Sequence, residues 1–581
     1  MEKKTKQQKK IPISRICEIR NGELIRYYGD DTAFTVPDSV TIIAVDAFRD
    51  CKKIVEITLG PQVTSIHANA FSGCRKLHRV NFSGVLREIG DEAFSDCEEL
   101  ATLLLPRTVY AVGENAFRNC RSLKTVSLPA ELKSIGAGAF SGCSALEELT
   151  LPEGIVNIYS QTFFDCTSLK RLKVFDKLRS ISSFAFSRCS ALEELELPGS
   201  LTYIGRGAFS ECTALKNFEI PESTGFLGNY AFSCCASLEK VVIPKGIKAI
   251  GSYAFCACKS LAEVELPQTL ESIGQAAFSG CTALTGITIP ESVKSIGRQA
   301  FAYDEALQSI ELNAAISILE DDTFLHCASL QKIRLPDSVQ LIGDRAFFGC
   351  ASLKSVYLPR DLKRIQSRAF EDCTVLSSIS FPYRMEQMEE YAFANCKSLE
   401  TVILPYGRAR IGVGAFSGCE SLATLVVSEG TLFLGRKKKR WRVPESTQII
   451  YRAELELSQM LAEFSSPSTA PERREELRRE ISEAVRVLTK RNKLKSAEQI
   501  RENLRRVALA LEEKALAEKE PAAPEPIQKE AQPPEEQVTS EKPAPQEAPA
   551  EPIQTETQPS EAPTPTQPQQ PSEKQDGEQP K

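Results

Sequence analysis

Hydrophobic and polar positions recur along this chain with one fixed period. A phenylalanine marks each repeat, and seventeen of them follow one another without insertion or deletion, at Phe48, Phe71, Phe94 and so on at the same interval to Phe416. Ala precedes the phenylalanine in fifteen copies, Cys follows three residues later in sixteen, and a large aliphatic residue follows six later in all seventeen. Such a period is the signature of a solenoid, whose units bury their apolar faces only by stacking on one another.

The pattern within one repeat predicts a strand, a turn, an extended segment and a short helical turn. Residues 149–151 (Leu-Thr-Leu) alternate between core and solvent as a half-buried strand does. Pro152 lacks an N–H and therefore ends the strand. The run from Gly136 to Cys143 has small residues at a spacing of three to four, which predicts about one helical turn. Stacked copies place the strands in one parallel sheet.

The repeat resembles the BspA-like (bacterial surface type) leucine-rich repeat. The resemblance rests on the pattern Ile-Gly-x-x-Ala-Phe-x-x-Cys-x-x-Leu-x-x-Val-x-Leu-Pro, which covers residues 36–435, over two thirds of the chain. It implies an α/β-type leucine-rich-repeat solenoid with a concave parallel sheet, used for protein recognition and often found at a bacterial or protist cell surface. The resemblance supplies no catalytic, cofactor-binding or metal-binding residue, so we expect a protein that is not an enzyme.

Two short segments precede the repeats. Residues 1–10 are basic and are predicted to form a disordered tail. Residues 11–35 depart from the repeat and contain Asn21 and Gly22 between apolar residues, which predicts a hairpin. We interpret this hairpin as a cap, because an uncovered sheet edge invites pairing with another chain.

Three further segments follow the repeats. Residues 436–444 form a basic junction. Residues 445–520 carry apolar residues at helical spacing from Ile450 onward and predict three amphipathic helices. These helices could form a small bundle, cover the last coil or pair with another chain as a coiled coil. Residues 521–581 are rich in Pro, Glu and Gln and predict a disordered tail, because they cannot bury enough apolar surface to fold.

Charged residues mark the outward face of the predicted sheet. Two positions in each repeat, eight and ten residues after the phenylalanine, point away from the core, and in the middle repeats an acidic stripe lies between two basic pairs. We interpret the stripe as a binding surface for a protein with a basic central patch, with an ordinary solvated sheet face as the alternative. The candidate residues are Glu148, Arg171, Lys173, Glu194, Glu196, Glu219, Glu263, Glu265, Glu311, Lys332, Arg334 and Tyr357.

The basic junction offers a second candidate surface. Six cations surround the only tryptophan of the chain, and such a segment could bind nucleic acid, anionic lipid or an acidic partner, or be an exposed linker. The net charge of −6, from 71 basic and 77 acidic residues, argues against nucleic acid as the main partner. The residues are Arg436, Lys437, Lys438, Lys439, Arg440, Trp441 and Arg442.

Neither a secretory signal nor a membrane span is visible in the sequence. The basic start is not followed by an apolar stretch, and no run approaches 18 apolar residues.

Sixteen of the nineteen cysteines share one repeat position, which indicates core packing, with no disulfide framework or metal site. Because closely spaced thiols risk cross-linking in an oxidising compartment, the cysteines favour a cytoplasmic location over export by an unrecognised route.

We therefore expect an intracellular scaffold that binds a protein partner. A cell-surface adhesin is one alternative, and an adaptor that binds nucleic acid or a membrane surface through the basic junction is another. We expect no small-molecule substrate, no cofactor and no metal ion, because no convergent set of catalytic or metal-ligating residues recurs in the sequence.

Overall fold

The computed structural model describes residues 13–405, 408–428, 431–434 and 443–452, with further helical residues at 456–457, 459–460, 463, 473 and 476–482. All of them belong to the first of two units, Met1–Glu520, and the second unit is Pro521–Lys581. The described chain winds into seventeen phenylalanine-centred coils that begin after a 3-10 turn at Ile13–Arg15 and a hairpin. The leucine-rich-repeat solenoid predicted from the sequence is thus confirmed.

Strands of two residues line one side of the solenoid. Each pairs in parallel with the short strand of a neighbouring coil, in four successive sheets, and paired residues are one repeat apart, as Ile42 and Ser65 are, until the last pair. Their inner residue is buried in nearly every coil. The short strands are Ile42–Ile43, Ser65–Ile66, Glu88–Ile89, Ala111–Val112, Ser134–Ile135, Asn157–Ile158, Ser180–Ile181, Tyr203–Ile204, Phe226–Leu227, Ala249–Ile250, Ser272–Ile273, Ser295–Ile296, Ile318–Leu319, Leu341–Ile342, Arg364–Ile365, Gln387–Met388, Arg410–Ile411 and Leu432–Phe433.

Strands of three or four residues line another side and pair in parallel with a neighbouring coil, in separate sheets of two to four strands. Between Arg171 and Lys240 the pairing is reduced to single bridges through Glu194 and Asn217. The long strands are Ala33–Thr35, Glu56–Thr58, Arg79–Asn81, Thr102–Leu104, Thr125–Ser127, Glu148–Thr150, Arg171–Lys173, Lys240–Val242, Glu263–Glu265, Gly286–Ile289, Ser309–Leu312, Lys332–Arg334, Ser355–Tyr357, Ser378–Ser380, Thr401–Ile403, Thr424–Val427 and Gln448–Tyr451.

The hairpin at the start of the repeats consists of Cys17–Arg20 and Glu23–Tyr27, which pair antiparallel. Its last residue, Tyr27, occupies the position that a phenylalanine of a preceding coil would take. The Tyr27 ring stacks on Phe48 with the ring centroids 5.0 Å apart, and the Tyr27 N–H donates to the Ala47 carbonyl at 2.8 Å. The hairpin therefore continues both the ring stack and the backbone hydrogen bonding of the coils, as a cap must.

The phenylalanines form one continuous stack through the core. All seventeen rings are buried. Neighbouring centroids are 4.8–5.8 Å apart, and neighbouring ring planes are within 17° of parallel. A shared ring geometry from coil to coil requires the same backbone path in every coil, which explains the uninterrupted period of the sequence.

The backbone around each phenylalanine is not the helical turn predicted from the sequence. The residues two before and two after the phenylalanine have positive φ, between 49° and 77°, in all seventeen coils. Their N–H groups and that of the phenylalanine donate to carbonyls of the next coil, at 2.7–3.2 Å across the sixteen junctions. The helical prediction was wrong because a spacing of three to four residues also suits successive tight turns. In these turns, alternate N–H groups donate to the neighbouring coil and not within the same turn.

The chain after the repeats also departs from the prediction in one place. Gln448–Tyr451 is a strand that pairs in parallel with Thr424–Val427, whereas the sequence analysis placed the first helical stripe from Ile450 onward. Helical residues begin at Arg452. The run Gln-Ile-Ile-Tyr favours a strand, and the last long strand of the array offers it unpaired backbone groups, which local helical periodicity does not take into account.

A substitution at Gly280, which has a φ of 77°, tests whether the residue two after the phenylalanine adopts a left-handed conformation. An added Cβ would meet nothing closer than the Ala257 Cα at 3.6 Å, so Gly280→Ala changes backbone preference without a clash. We expect the free energy of unfolding in urea to fall by about 1 kcal/mol. If this segment were a helical turn, Gly280→Ala would instead raise the free energy of unfolding by about 1 kcal/mol.

The matched control is Gly286→Ala, at a strand position without positive φ where the new Cβ would lie 3.4 Å from the Ser309 side chain. This variant should be neutral or slightly more stable than the wild type. A stabilising effect of Gly280→Ala would contradict the turn described above.

Candidate functional site

The candidate residues from the stripe lie on one face of the long-strand sheet. The three-residue strands point their middle residue toward the core and their two flanking residues outward, as Leu149 and Leu172 show with 4% exposure each. All twelve candidates take outward positions; Tyr357 is half-buried and the others are exposed. Glu311 accepts a hydrogen bond from the Thr288 hydroxyl at 3.2 Å. The stripe is therefore a real surface feature of the fold.

Lys240 lies in the middle of the stripe, where the sequence analysis overlooked it. Its ammonium nitrogen lies 3.1 Å from a Glu263 carboxylate oxygen and 2.7 Å from one of Glu265. Farther along the face, Arg171 lies 3.6 Å from Glu148. The stripe is thus not continuously acidic, because lateral ion pairs between neighbouring coils neutralise part of it. The signal was present in the sequence, since Lys240 stands eight residues after Phe232.

An aromatic ring contacts one member of each basic pair that brackets the stripe. The Lys173 ammonium lies 5.2 Å from the Phe175 ring centroid, and the Arg334 guanidinium lies 4.8 Å from that of Tyr357. Cation–π contacts of this kind hold a long side chain in place while its charge stays accessible. The two brackets thus present positively charged groups in restricted positions.

Three carboxylates, Glu194, Glu196 and Glu219, form what we call the acidic patch. Within the described part of the chain none of them has an ion pair, and all three are exposed. Glu196 and Glu219 occupy the same column in consecutive coils, so their like charges repel across the sheet. Here the strand pairing falls to single bridges. The acidic patch therefore concentrates negative charge on one part of the sheet face.

The cysteine column lies in the core and makes a regular contact. Each thiol from Cys74 to Cys419 in this column donates to the carbonyl of the phenylalanine in the preceding coil, with Sγ···O distances of 3.0–3.3 Å. Burial raises the pKa of the column thiols from Cys97 to Cys419, as for Cys120 and Cys143. Because the thiolate is the reactive form, the column thiols from Cys97 to Cys419 are protected from oxidation and do not by themselves indicate a compartment.

Asp304 replaces cysteine at one position of this column. One of its carboxylate oxygens accepts the Cys281 N–H at 2.8 Å, and the other is buried without a hydrogen-bond partner. Burial raises the pKa of the Asp304 carboxyl well above its usual value. A buried carboxyl without a cationic partner is therefore held as the neutral acid at a pH where the unfolded chain ionises it.

Other candidate chemistry can be placed only in part. Among the residues that the structure describes, no three His, Cys, Asp or Glu side chains are grouped so as to hold a metal ion. No helix in that part has the length and apolar character needed to cross a membrane. The basic junction residues 436–442, the tails at 1–10 and 521–581, and most of the helical module at 445–520 lie outside the described residues.

Two parallel strand columns, a stacked phenylalanine in every coil and a constant repeat length define a leucine-rich-repeat solenoid. The family model for the BspA type leucine-rich repeat region matches residues 27–147, 111–236, 225–354 and 317–437, which together span most of the chain. The protein belongs to the BspA-type leucine-rich-repeat family.

Solved structures of bacterial leucine-rich-repeat proteins are similar to this chain. One from Bacteroides ovatus is 27% identical, with 74% of this chain and 94% of that chain covered and a TM-score of 0.44. A leucine-rich cell-surface protein from Faecalibacterium prausnitzii is 25% identical, with 58% and 89% covered and a TM-score of 0.38. Among curated proteins, none matches this chain.

Asp304→Asn should stabilise the protein at neutral pH. The raised pKa means that the folded state binds a proton more tightly than the unfolded state, so the contribution of Asp304 is most favourable below about pH 4 and is lost as the pH rises. Asparagine keeps the oxygen that accepts the Cys281 N–H and cannot ionise. We expect a gain of about 1–3 kcal/mol at pH 7.

The measurement is the free energy of unfolding in urea at pH 4, 5, 6 and 7 for both proteins. The difference should grow with pH. Asp165→Asn, at an outward-facing position whose side chain is only half-buried, is the control and should show no such growth. A constant difference between wild type and Asp304→Asn would contradict the assigned ionisation.

Proposed function

We propose that this protein is a recognition scaffold that binds a protein partner through the outward face of its long-strand sheet. Leucine-rich-repeat solenoids are in general binding scaffolds rather than catalysts. The observation that carries the proposal is the acidic patch: among the described residues Glu194, Glu196 and Glu219 have no ion-pair partner, whereas Glu148, Glu263 and Glu265 have one. A partner that supplies cations there would relieve a repulsion that the free protein bears.

The backbone beneath the acidic patch supports this proposal because it is fixed before binding. The bridges at Glu194 and Asn217 keep the coils in register, and the phenylalanine turns of the same coils donate hydrogen bonds to the next coil at 2.8 Å, as the Phe186 N–H does to the Ala208 carbonyl. Only side chains need to be ordered on association, and this lowers the entropic cost of binding.

The charges around the acidic patch define the chemistry of the partner. A cationic centre would meet the acidic patch, and carboxylates on either side would meet Lys173 and Arg334, which aromatic rings hold in place. We therefore propose a partner with a basic central patch and acidic flanks. Such complementarity acts mainly on the association rate, so capture should weaken as the salt concentration rises.

The test reverses the acidic patch in the full chain with Glu194→Lys, Glu196→Lys and Glu219→Lys. The wild type and the variant are immobilised, exposed to extract of the source organism under chemical cross-linking, and the captured proteins are quantified by mass spectrometry. We expect a protein captured by the wild type to fall at least about ten-fold with the variant, because like charges now face its basic patch.

The matched control reverses three exposed carboxylates outside this face, Glu153, Glu222 and Glu291, and therefore makes the same change in net charge. Capture should survive in the control. Equal loss in both variants would show a general charge effect, and equal retention in both would show that the sheet face is only solvated surface.

A further inference from the structure

The last three coils form a cleft on the short-strand side of the solenoid. We use the term outer limb for the segment between a long strand and the next short strand. The cleft lies between three successive outer limbs and has a volume of about 460 Å³, a size typical of small-molecule sites. Four arginines and one carboxylate contribute most of its charge: Arg364, Arg384, Arg408, Arg410 and Glu386.

A break in the repeat accompanies the cleft. The position eight residues before the phenylalanine is buried in all sixteen preceding coils and is apolar in all but one of them, as with Leu362 and Met385. In the last coil this position is Arg408, which is exposed, and the next residue, Ala409, is buried instead with 2% exposure. A methyl group therefore replaces a side chain of leucine or methionine size, and this accounts for the space beside it.

The same break adds a cation to the cleft without adding a counter-charge. Arg384 has a carboxylate partner, Asp361, at 2.7 Å. In the described part of the chain, Arg364, Arg408 and Arg410 have no ion pair, and all three are exposed. Guanidinium groups gathered in a concave space repel one another, and an anion bound among them would remove that repulsion.

The chemistry of the lining selects the class of anion. Arginine presents a planar fork of N–H donors that fits tetrahedral and carboxylate oxyanions in a bidentate manner. The Tyr383 ring at the cleft is 63% exposed and has the Arg384 guanidinium 5.3 Å from its centroid, so a planar group of a ligand can stack there. Three unpaired guanidinium groups suit an anion with more than one negative charge.

We infer that this arginine cleft is a binding site for a small, multiply charged oxyanion of the phosphate or sulfate class. The site lies on the short-strand side of the coils and does not use the acidic patch. It is therefore independent of the proposed protein recognition. Tyr406 and Gly407 lie outside the described residues.

Isothermal titration calorimetry of the full chain tests the site, with inorganic pyrophosphate and a trisulfated disaccharide as separate probes. We expect at least one probe to bind with one-to-one stoichiometry, and to bind more weakly as salt is added. The probe that binds more tightly identifies the phosphate or the sulfate class. The double variant Arg408→Gln and Arg410→Gln should bind that probe about a hundred-fold more weakly, because two charge-assisted contacts are lost.

The control variant is Arg87→Gln and Arg179→Gln, which removes two exposed arginines from outer limbs of earlier coils. It should bind the probe as the wild type does. Circular dichroism melts should be alike for all three proteins. Absence of binding of either probe at about 1 mM, equal weakening in the control, or binding unchanged in the Arg408 and Arg410 variant would each overturn the inference. The last outcome would place the anion elsewhere, for example on residues 436–442.

Discussion

Lateral hydrogen bonds at the phenylalanine turns are the interaction on which the rest of this structure depends. Three N–H groups of each coil donate to carbonyls of the next, and they do so only because two residues per coil adopt left-handed backbone conformations. Most of those residues are not glycine, so each conformation costs about 1–2 kcal/mol. Each lateral bond contributes about 1 kcal/mol in return, and the burial of one phenylalanine per coil adds to it.

This arrangement explains why the repeat tolerates no insertion. An added residue would displace the lateral bonds, both strand columns and the ring stack together. The cysteine column follows from the same geometry, because each thiol reaches the phenylalanine carbonyl of the preceding coil, as Cys143 reaches Phe117 at 3.2 Å. Asp304 shows what the position demands: a larger polar group fits only as a buried acid with one unsatisfied oxygen.

The sequence is sufficient to predict the coil, its core residues and its long strands, because burial and alternation depend on spacing. The left-handed turns are harder to predict from the sequence than the strands are. The columns two before and two after the phenylalanine contain residues that tolerate positive φ, such as Asp46, Asn69 and Gly138. They also contain Tyr253 and Arg368, which mask the signal. The strand at Gln448–Tyr451 was missed for a related reason, since its register with the preceding long strand does not follow the period of the repeats.

The candidate surfaces were predictable to different degrees. Alternation along the strands predicts that Glu194 and Glu196 face outward. The ion-pair partner of Glu263 and Glu265 can be identified only when the register between neighbouring coils is known. The arginine cleft exists because Arg408 faces outward and Ala409 faces inward. The repeat spacing alone predicts the reverse, with residue 408 buried and residue 409 exposed. Function in such an even array therefore lies in the coils that depart from the repeat.

Amide hydrogen exchange at residue resolution tests the account most directly. In the coil of Phe140, the N–H groups of Gly138, Phe140 and Gly142 donate to the next coil at 2.9, 2.9 and 2.7 Å. We expect these three amides to exchange as slowly as that of Leu149 in the adjacent strand, through large-scale unfolding. A helical turn would leave its first N–H groups without partners. Fast exchange at Gly138 and Phe140 would contradict the lateral ladder and the account built on it.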